Sequence, residues 1–119
     1  YLYILKIANL KIPFGIREIK TDKAQNTYLN GRRIFIRGSN IIPEEYLSKY
    51  TVKRIEKDIQ LARNANINAL RLHAHINRRE FYSACDKAGF LVWQDFPLQW
   101  EYTNSPSFIK EAKRQIKDM

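Results

Sequence analysis

The chain has 119 residues and a formal charge of +9, from 21 Lys and Arg against 12 Asp and Glu. It is 45% hydrophobic with 4 Gly, 4 Pro and 1 Cys, a globular composition sufficient for one small domain. Cys85 has no partner for an internal disulfide, and no apolar run reaches the roughly 18 residues of a membrane helix.

The sequence opens at Tyr1 rather than Met and stops within a helical pattern at Met119. It is therefore expected to be a fragment. The single Cys and the lack of a signal-like segment lean slightly toward a cytoplasmic setting, which is otherwise unknown. Basic residues are spread along the whole chain. The densest groups, Lys53, Arg54 and Lys57, then Lys113, Arg114 and Lys117, fall on helical patterns. They read as solvated helix faces rather than a nucleic-acid surface, so neither nucleic acid nor membrane is expected as a partner.

Residues 1–21 are rich in β-formers, in "YLYILKI" and "FGIREIKT", and predict one or two strands. Asn30-Gly31 is a strong hairpin signal that should join Thr27–Leu29 to Arg32–Ile36. Val52, Ile55, Ile59 and Ala62 then recur at helical spacing, with Thr51 as N-cap and Asn66 as stop. "NALRLH" reads as a short buried strand. Asn77 with Glu80 resembles a capping box, and Gly89 ends the helix that follows. "FLVWQDF" is a third buried strand. Ser105-Pro106 opens a last helix with Ile109, Ala112 and Ile116 on one face.

From residue 34 the order is strand, helix, strand, helix, strand, helix, which predicts an α/β fold with a parallel sheet. The β-rich start reads as the tail of a separate β domain, residues 1–22, joined to residues 23–119. Strand parity then separates two sets. Ile34, Ile36, Leu70, Leu72 and Val92 suit contact with helices. Arg37, Arg71, His73, Trp93 and Asp95 share the opposite parity. A doubly wound sheet should be apolar on both faces, whereas a barrel can turn polar inside its C-terminal mouth, so the pattern favours a (β/α)8 TIM barrel. Asp95, set among aromatics, needs a partner. Arg71 comes first, then His73 or Arg37. Trp93 reads as packing or ligand stacking, Trp100 as a loop platform for a sugar, and Cys85 as core.

The ordered motifs "FGIREI", "YLNGRRIFIRGSNIIPEE", "INALRLHAH" and "FYSACDKAGFLVWQDFP" resemble glycoside hydrolase family 2, most closely its β-mannosidase-like branch. That resemblance implies a retaining exo-β-glycosidase in which an immunoglobulin-like β-sandwich domain precedes a TIM barrel. "FGIREI" would be the last strand of the β domain. "IFIRGSN", "LRLH" and "LVWQD" would be barrel strands one to three, so the chain holds the first three βα units. Arg71 matches the arginine that supports the catalytic nucleophile, and Asp95 the aspartate near the sugar subsite. Asn40, His73, His75 and Trp100 complete the expected substrate-binding set. The partner implied is a carbohydrate with a terminal β-linked sugar, together with the remaining chain of the parent protein; no cofactor is implied.

There are departures from the family pattern. His73 stands where many β-mannosidases have a tryptophan. The acid/base glutamate of strand four and the nucleophile glutamate of strand seven would lie past Met119, so the fragment alone is expected to be inactive. Glu44, Glu45 and Glu101 match neither role. Two other functions compete. His73 and His75, facing one way on a strand, could join Asp95 as ligands of a metal-dependent hydrolase barrel. The charge alone would suggest a basic nucleic-acid-binding module.

Overall fold

A computed structural model describes residues 2–119; Tyr1, at the head of the expected β-rich start, lies outside the described residues. The chain begins with a hairpin of β1 (Tyr3–Ile7) and β2 (Leu10–Phe14), with Ile7 opposite Leu10. Ala8 makes the turn at φ 51°. β2 tolerates Pro13 because it is an edge strand, where a missing N–H costs no ladder bond. "FGIREI" is not one strand. Phe14 ends β2, residues 15–18 belong to no strand although Glu18 exchanges hydrogen bonds with Asn30, and β3 (Ile19–Thr21) starts a second sheet.

That sheet is antiparallel: β3, β4 (Thr27–Leu29) and β5 (Arg32–Ile34). Asn30 and Gly31 turn β4 into β5 with φ of 49° and 76°, the two left-handed residues a tight hairpin requires.

The expected strand through Ile36 ends at Ile34. The first parallel strand is instead β6 (Gly38–Ile41). Asn68 explains the break. Its Nδ2 donates to Phe35 O at 2.8 Å, its Oδ1 accepts from Arg37 N at 2.8 Å, and its own N–H donates to Arg37 O at 2.9 Å. One side chain thus unhooks residues 35–37 from the hairpin and sets β6 beside its neighbour. Arg37 is corrected too. Its Nε donates to Asn66 O at 2.6 Å at the N-terminal end of the sheet, away from Asp95.

Next come α1 (Val52–Asn64), β7 (Ala69–Leu72), α2 (Arg79–Ala88), β8 (Leu91–Gln94) and α3 (Pro106–Asp118). Thr51 caps α1 by accepting from Arg54 N at 3.3 Å, and Ser105 caps α3 by accepting from Phe108 N at 3.3 Å. Gly89 ends α2 in the left-handed conformation at φ 80°. Asn77 does not cap α2. The N-cap is Arg78, without a side-chain bond, because Asn77 is buried and turned toward Tyr50.

The strands β6, β7 and β8 are parallel and adjacent in chain order. α1 packs on α2. The core lies between these helices and one face of the sheet: Ile55 and Ile59 from α1, Leu70 and Leu72 from β7, Phe81 and Cys85 from α2, with Tyr50 and Phe90 at its edges. Burial pushes the Cys85 thiol up to about 12. Among the described residues α3 packs closely against no other element, and its Ile109 and Ile116 remain exposed.

Candidate active site

The register aligns Asn40, Arg71 and Trp93 across three strands. Parity aims them away from the helices, and all three are exposed on the open sheet face. They line a shallow hollow of about 410 Å³ with Ile36 and Ala69.

Asp95 follows the last residue of β8, and its N–H donates to Leu72 O at 3.3 Å, carrying the ladder one step further. Its side chain meets Arg71 as a fork. Arg71 Nε donates to Oδ1 at 3.2 Å and Nη2 to Oδ2 at 2.7 Å. Ala74 N–H adds a third donor to Oδ2 at 3.3 Å. This geometry suits a guanidinium and not an ammonium, whose charge has no planar fork. The Arg71 hydrogen bonds hold the Asp95 carboxyl below the usual carboxylate range against the opposing effect of desolvation; Ala74 N–H and the nearby His73 act in the same direction as Arg71. Among the described residues Arg71 Nη1 donates to nothing, and the side chain is 45% exposed, so it can still receive a second acceptor.

His73 and His75 are not on a strand. β7 stops at Leu72, and the chain turns through Ala74 at φ 54°. His73 is exposed. His75 Nδ1 lies 3.1 Å from His73 O, and its Nε2 is buried without a partner among the described residues. Among the described residues no group of three His, Cys, Asp or Glu side chains stands where it could hold a metal ion. The proposed trio of His73, His75 and Asp95 therefore does not form a ligand set. The alternation that would have aimed both imidazoles one way ends before them. Trp100 is 96% exposed in the loop after β8, with φ 63°, and the structure brings it to none of the others.

Sequence reasoning missed a polar layer behind Asp95. Gln94 shares the parity of Val92, where an aliphatic residue is expected, and that mismatch was the available signal. Its Nε2 donates to His75 O at 2.7 Å and Asp95 O at 2.6 Å, and its Oε1 accepts from Tyr82 Oη at 2.6 Å. Tyr82 Oη accepts from Asn77 N at 3.1 Å, and Asn77 Nδ2 donates to Tyr50 Oη at 3.0 Å. Burial pushes the Tyr50 hydroxyl up, which keeps it protonated. The layer ties the loop after β7 to α2 and β8.

Residues 19–115 match the family model described as glycosyl hydrolases family 2, TIM barrel domain. The chain belongs to glycosyl hydrolases family 2. A β-mannosidase of Rattus norvegicus is 35% identical over 92 residues, a match covering 74% of this chain and 10% of that protein. A mannosylglycoprotein endo-β-mannosidase of Lilium longiflorum is 40% identical over 90 residues, covering 70% and 9%. The β-glucuronidase structure from Parabacteroides merdae superposes over 98% of this chain and 15% of its own, with a TM-score of 0.78 at 21% identity, a likeness of fold. The resemblance to family 2 and its β-mannosidase-like members is thus shown, and its homologues are glycoside hydrolases. The chain spans about a tenth of the length of the curated relatives it matches.

Proposed function

We propose that this family 2 chain forms the first three βα units of a TIM barrel in a retaining exo-β-glycosidase of β-mannosidase-like specificity, acting on a terminal β-linked sugar. The observation that carries the reading is the Arg71–Asp95 fork at the C-terminal ends of adjacent parallel strands. Strand order without reversal, with helices packed on one face and polar residues on the other, supports a barrel over a doubly wound sheet. Residues 1–22 would close an immunoglobulin-like domain and residues 23–119 would open the barrel. The pairing of β3 with β4 couples the two across that boundary.

A retaining glycosidase sets two carboxyl groups about 5–5.5 Å apart, one to attack the anomeric carbon and one to protonate the leaving oxygen. Both glutamates would come from strands four and seven, outside this chain. Within it, Arg71 would hold the nucleophile carboxylate through its remaining donors. Asp95 would fix Arg71 and accept a sugar hydroxyl, and Asn40, His73 and His75 would line the subsite, with Trp100 an outlying platform in the exposed loop after β8.

The test uses the full-length protein that carries this chain and an aryl β-mannoside, followed by proton NMR. Release of the β-anomer of mannose first is the expected result. Turnover of no aryl β-glycoside, or first release of the α-anomer, overturns the reading. The isolated 119-residue chain should give no turnover above a buffer blank.

A further inference from the structure

The layer around Gln94 has a geometry that packing alone does not require. Gln94 lies on the helix-facing parity of β8, and both ends of its amide are engaged, with three partners on three different segments. Its amide nitrogen reaches the carbonyl of His75 in the loop after β7 and the carbonyl of Asp95 on its own strand. Its amide oxygen receives the Tyr82 hydroxyl from α2. The loop it holds contains Ala74, buried and in the left-handed region at φ 54°, a conformation that a side-chain-bearing residue adopts only at a cost. That conformation accompanies the placement of the Ala74 N–H on Asp95 Oδ2 at 3.3 Å.

We propose that Gln94 is a positioning residue for the sugar site. It clamps residues 73–77 against β8, so that the Ala74 N–H and the peptide of Asp95 both hold the Asp95 carboxylate in register with Arg71. The inference rests on the proposed glycosidase reading, since it assigns Gln94 a role in orienting the Arg71–Asp95 fork during that reaction. Gln94 touches neither sugar nor reacting atoms. Its amide nitrogen supplies one bond to the loop, at His75 O, and one to the adjacent Asp95 carbonyl, and its amide oxygen anchors the clamp to α2 through Tyr82. The side chain acts as a unit because a glutamine amide is planar, so the Tyr82 bond fixes the direction in which Nε2 donates.

The experiment is a double-substitution cycle in the full-length protein. The substrate is whichever of an aryl β-mannoside, β-galactoside, β-glucuronide or β-glucosaminide the unaltered protein turns over. Gln94→Met keeps volume and removes the amide; it is expected to lower kcat at least about 10-fold, with a smaller change in KM. On an Asp95→Ala background, where no carboxylate remains to be positioned, the same change should cost less than about threefold. Equal losses on the two backgrounds, or no loss from Gln94→Met, overturn the proposal. If Gln94→Met does not fold, Tyr82→Phe substitutes for it. Removing the one hydroxyl should lower kcat about threefold, again only when Asp95 is present, and an unchanged kcat overturns the proposal equally. Failure of the unaltered protein on every glycoside is a different result and overturns the enzymatic reading. The clamp is then read from the Ala74 methyl NMR signal. In Gln94→Met that signal should shift toward its position in Asp95→Ala, because both changes release the Ala74 N–H. An unmoved signal shows that Gln94 does not hold the loop.

Discussion

The hairpin from Tyr3 to Phe14 is richer in apolar residues than the α/β unit from Tyr50 to Gln94, yet the two end up in opposite environments. Among the described residues every buried hydrophobic side chain lies between Tyr50 and Leu91. In the hairpin Tyr3, Ile4, Leu5, Ile7, Leu10, Ile12 and Phe14 are all exposed. A sheet with two helices packed on it has two layers and encloses a core. A lone two-stranded ribbon has none to cover either face. α3 sides with the hairpin, since it is amphipathic yet buries no residue. Apolar patterning therefore says that a face will be covered, and only the topology says whether this chain covers it.

The largest expected effect tests that contrast. Phe81 is fully buried, so Phe81→Ala should cost about 3–5 kcal/mol, enough to unfold most of a marginally stable domain. Cys85 is the built-in reporter: buried and with its thiol pushed up to about 12, it should resist alkylation until the core opens. Leu5→Ser in the hairpin should change stability by less than about 0.5 kcal/mol and leave Cys85 protected. Rapid alkylation in Leu5→Ser would show that the hairpin supports the core after all.

The next effect concerns what the polar face of the same unit adds to its apolar one. Asp95→Asn keeps the shape and loses the charge of the fork. In the full-length protein it should lower kcat/KM by roughly 10²–10³-fold, the scale of a lost transition-state contact. A matched substrate lacking the hydroxyl at carbon 2 of the sugar should show a smaller loss. Equal losses on both substrates would mean that Asp95 serves Arg71 and does not read that hydroxyl.

The parts legible in the sequence are those fixed by local chemistry. Asn30-Gly31, Thr51, Gly89 and Ser105-Pro106 each set a turn or cap within a few residues, and each does so in the structure. Parity also put Arg71 and Asp95 on one face, with Arg71 first among three candidate partners, because strand alternation survives without knowing the whole fold; the structure selects Arg71. Three features were not legible. β6 reads Gly-Ser-Asn-Ile, which has no strand pattern and was reached only through the family motif "IFIRGSN"; it becomes a strand because Asn68, some thirty residues on, templates it. Arg37 was placed at the mouth by the same misplaced strand. Asn77 looks like a cap in one dimension and is drawn inward by Tyr50 in three. In each case a long-range hydrogen bond overrides a local preference.

Smaller effects should separate α1 from α3. Thr51→Ala and Ser105→Ala each remove a hydroxyl that accepts from the first helical turn, a loss of roughly 1 kcal/mol. In α1 that loss falls on the core, because Ile55 and Ile59 are buried there, so Cys85 should label faster by roughly fivefold if it is exposed through global opening. In α3 the same loss should fray the helix alone, seen in the amide exchange of residues 106–118, with Cys85 labelling unchanged.

The smallest effect is the pH response of α3. Glu111 accepts from Arg114 Nη2 at 2.6 Å and from Gln115 Nε2 at 3.0 Å. The Arg114 bond first, then the Gln115 bond, lower its carboxyl from 4.5 to about 2. A folded-state pKa below the unfolded one means that the pair contributes fully above about 4.5 and loses that contribution as pH falls toward 2. The pair is solvent-exposed, so the contribution is small and salt should weaken it further. Acid protonates other carboxylates as well, Asp95 among them, so a raw titration cannot isolate Glu111. Glu111→Gln at pH 7 mimics protonation at that one site. It should slightly speed amide exchange in α3, reduce the acid response of the helix signal, leaving what the Arg114–Asp118 pair contributes, and leave Cys85 labelling as it was. Faster Cys85 labelling in Glu111→Gln would tie α3 to the core and break the contrast between a self-covered unit and the elements that stand apart from it.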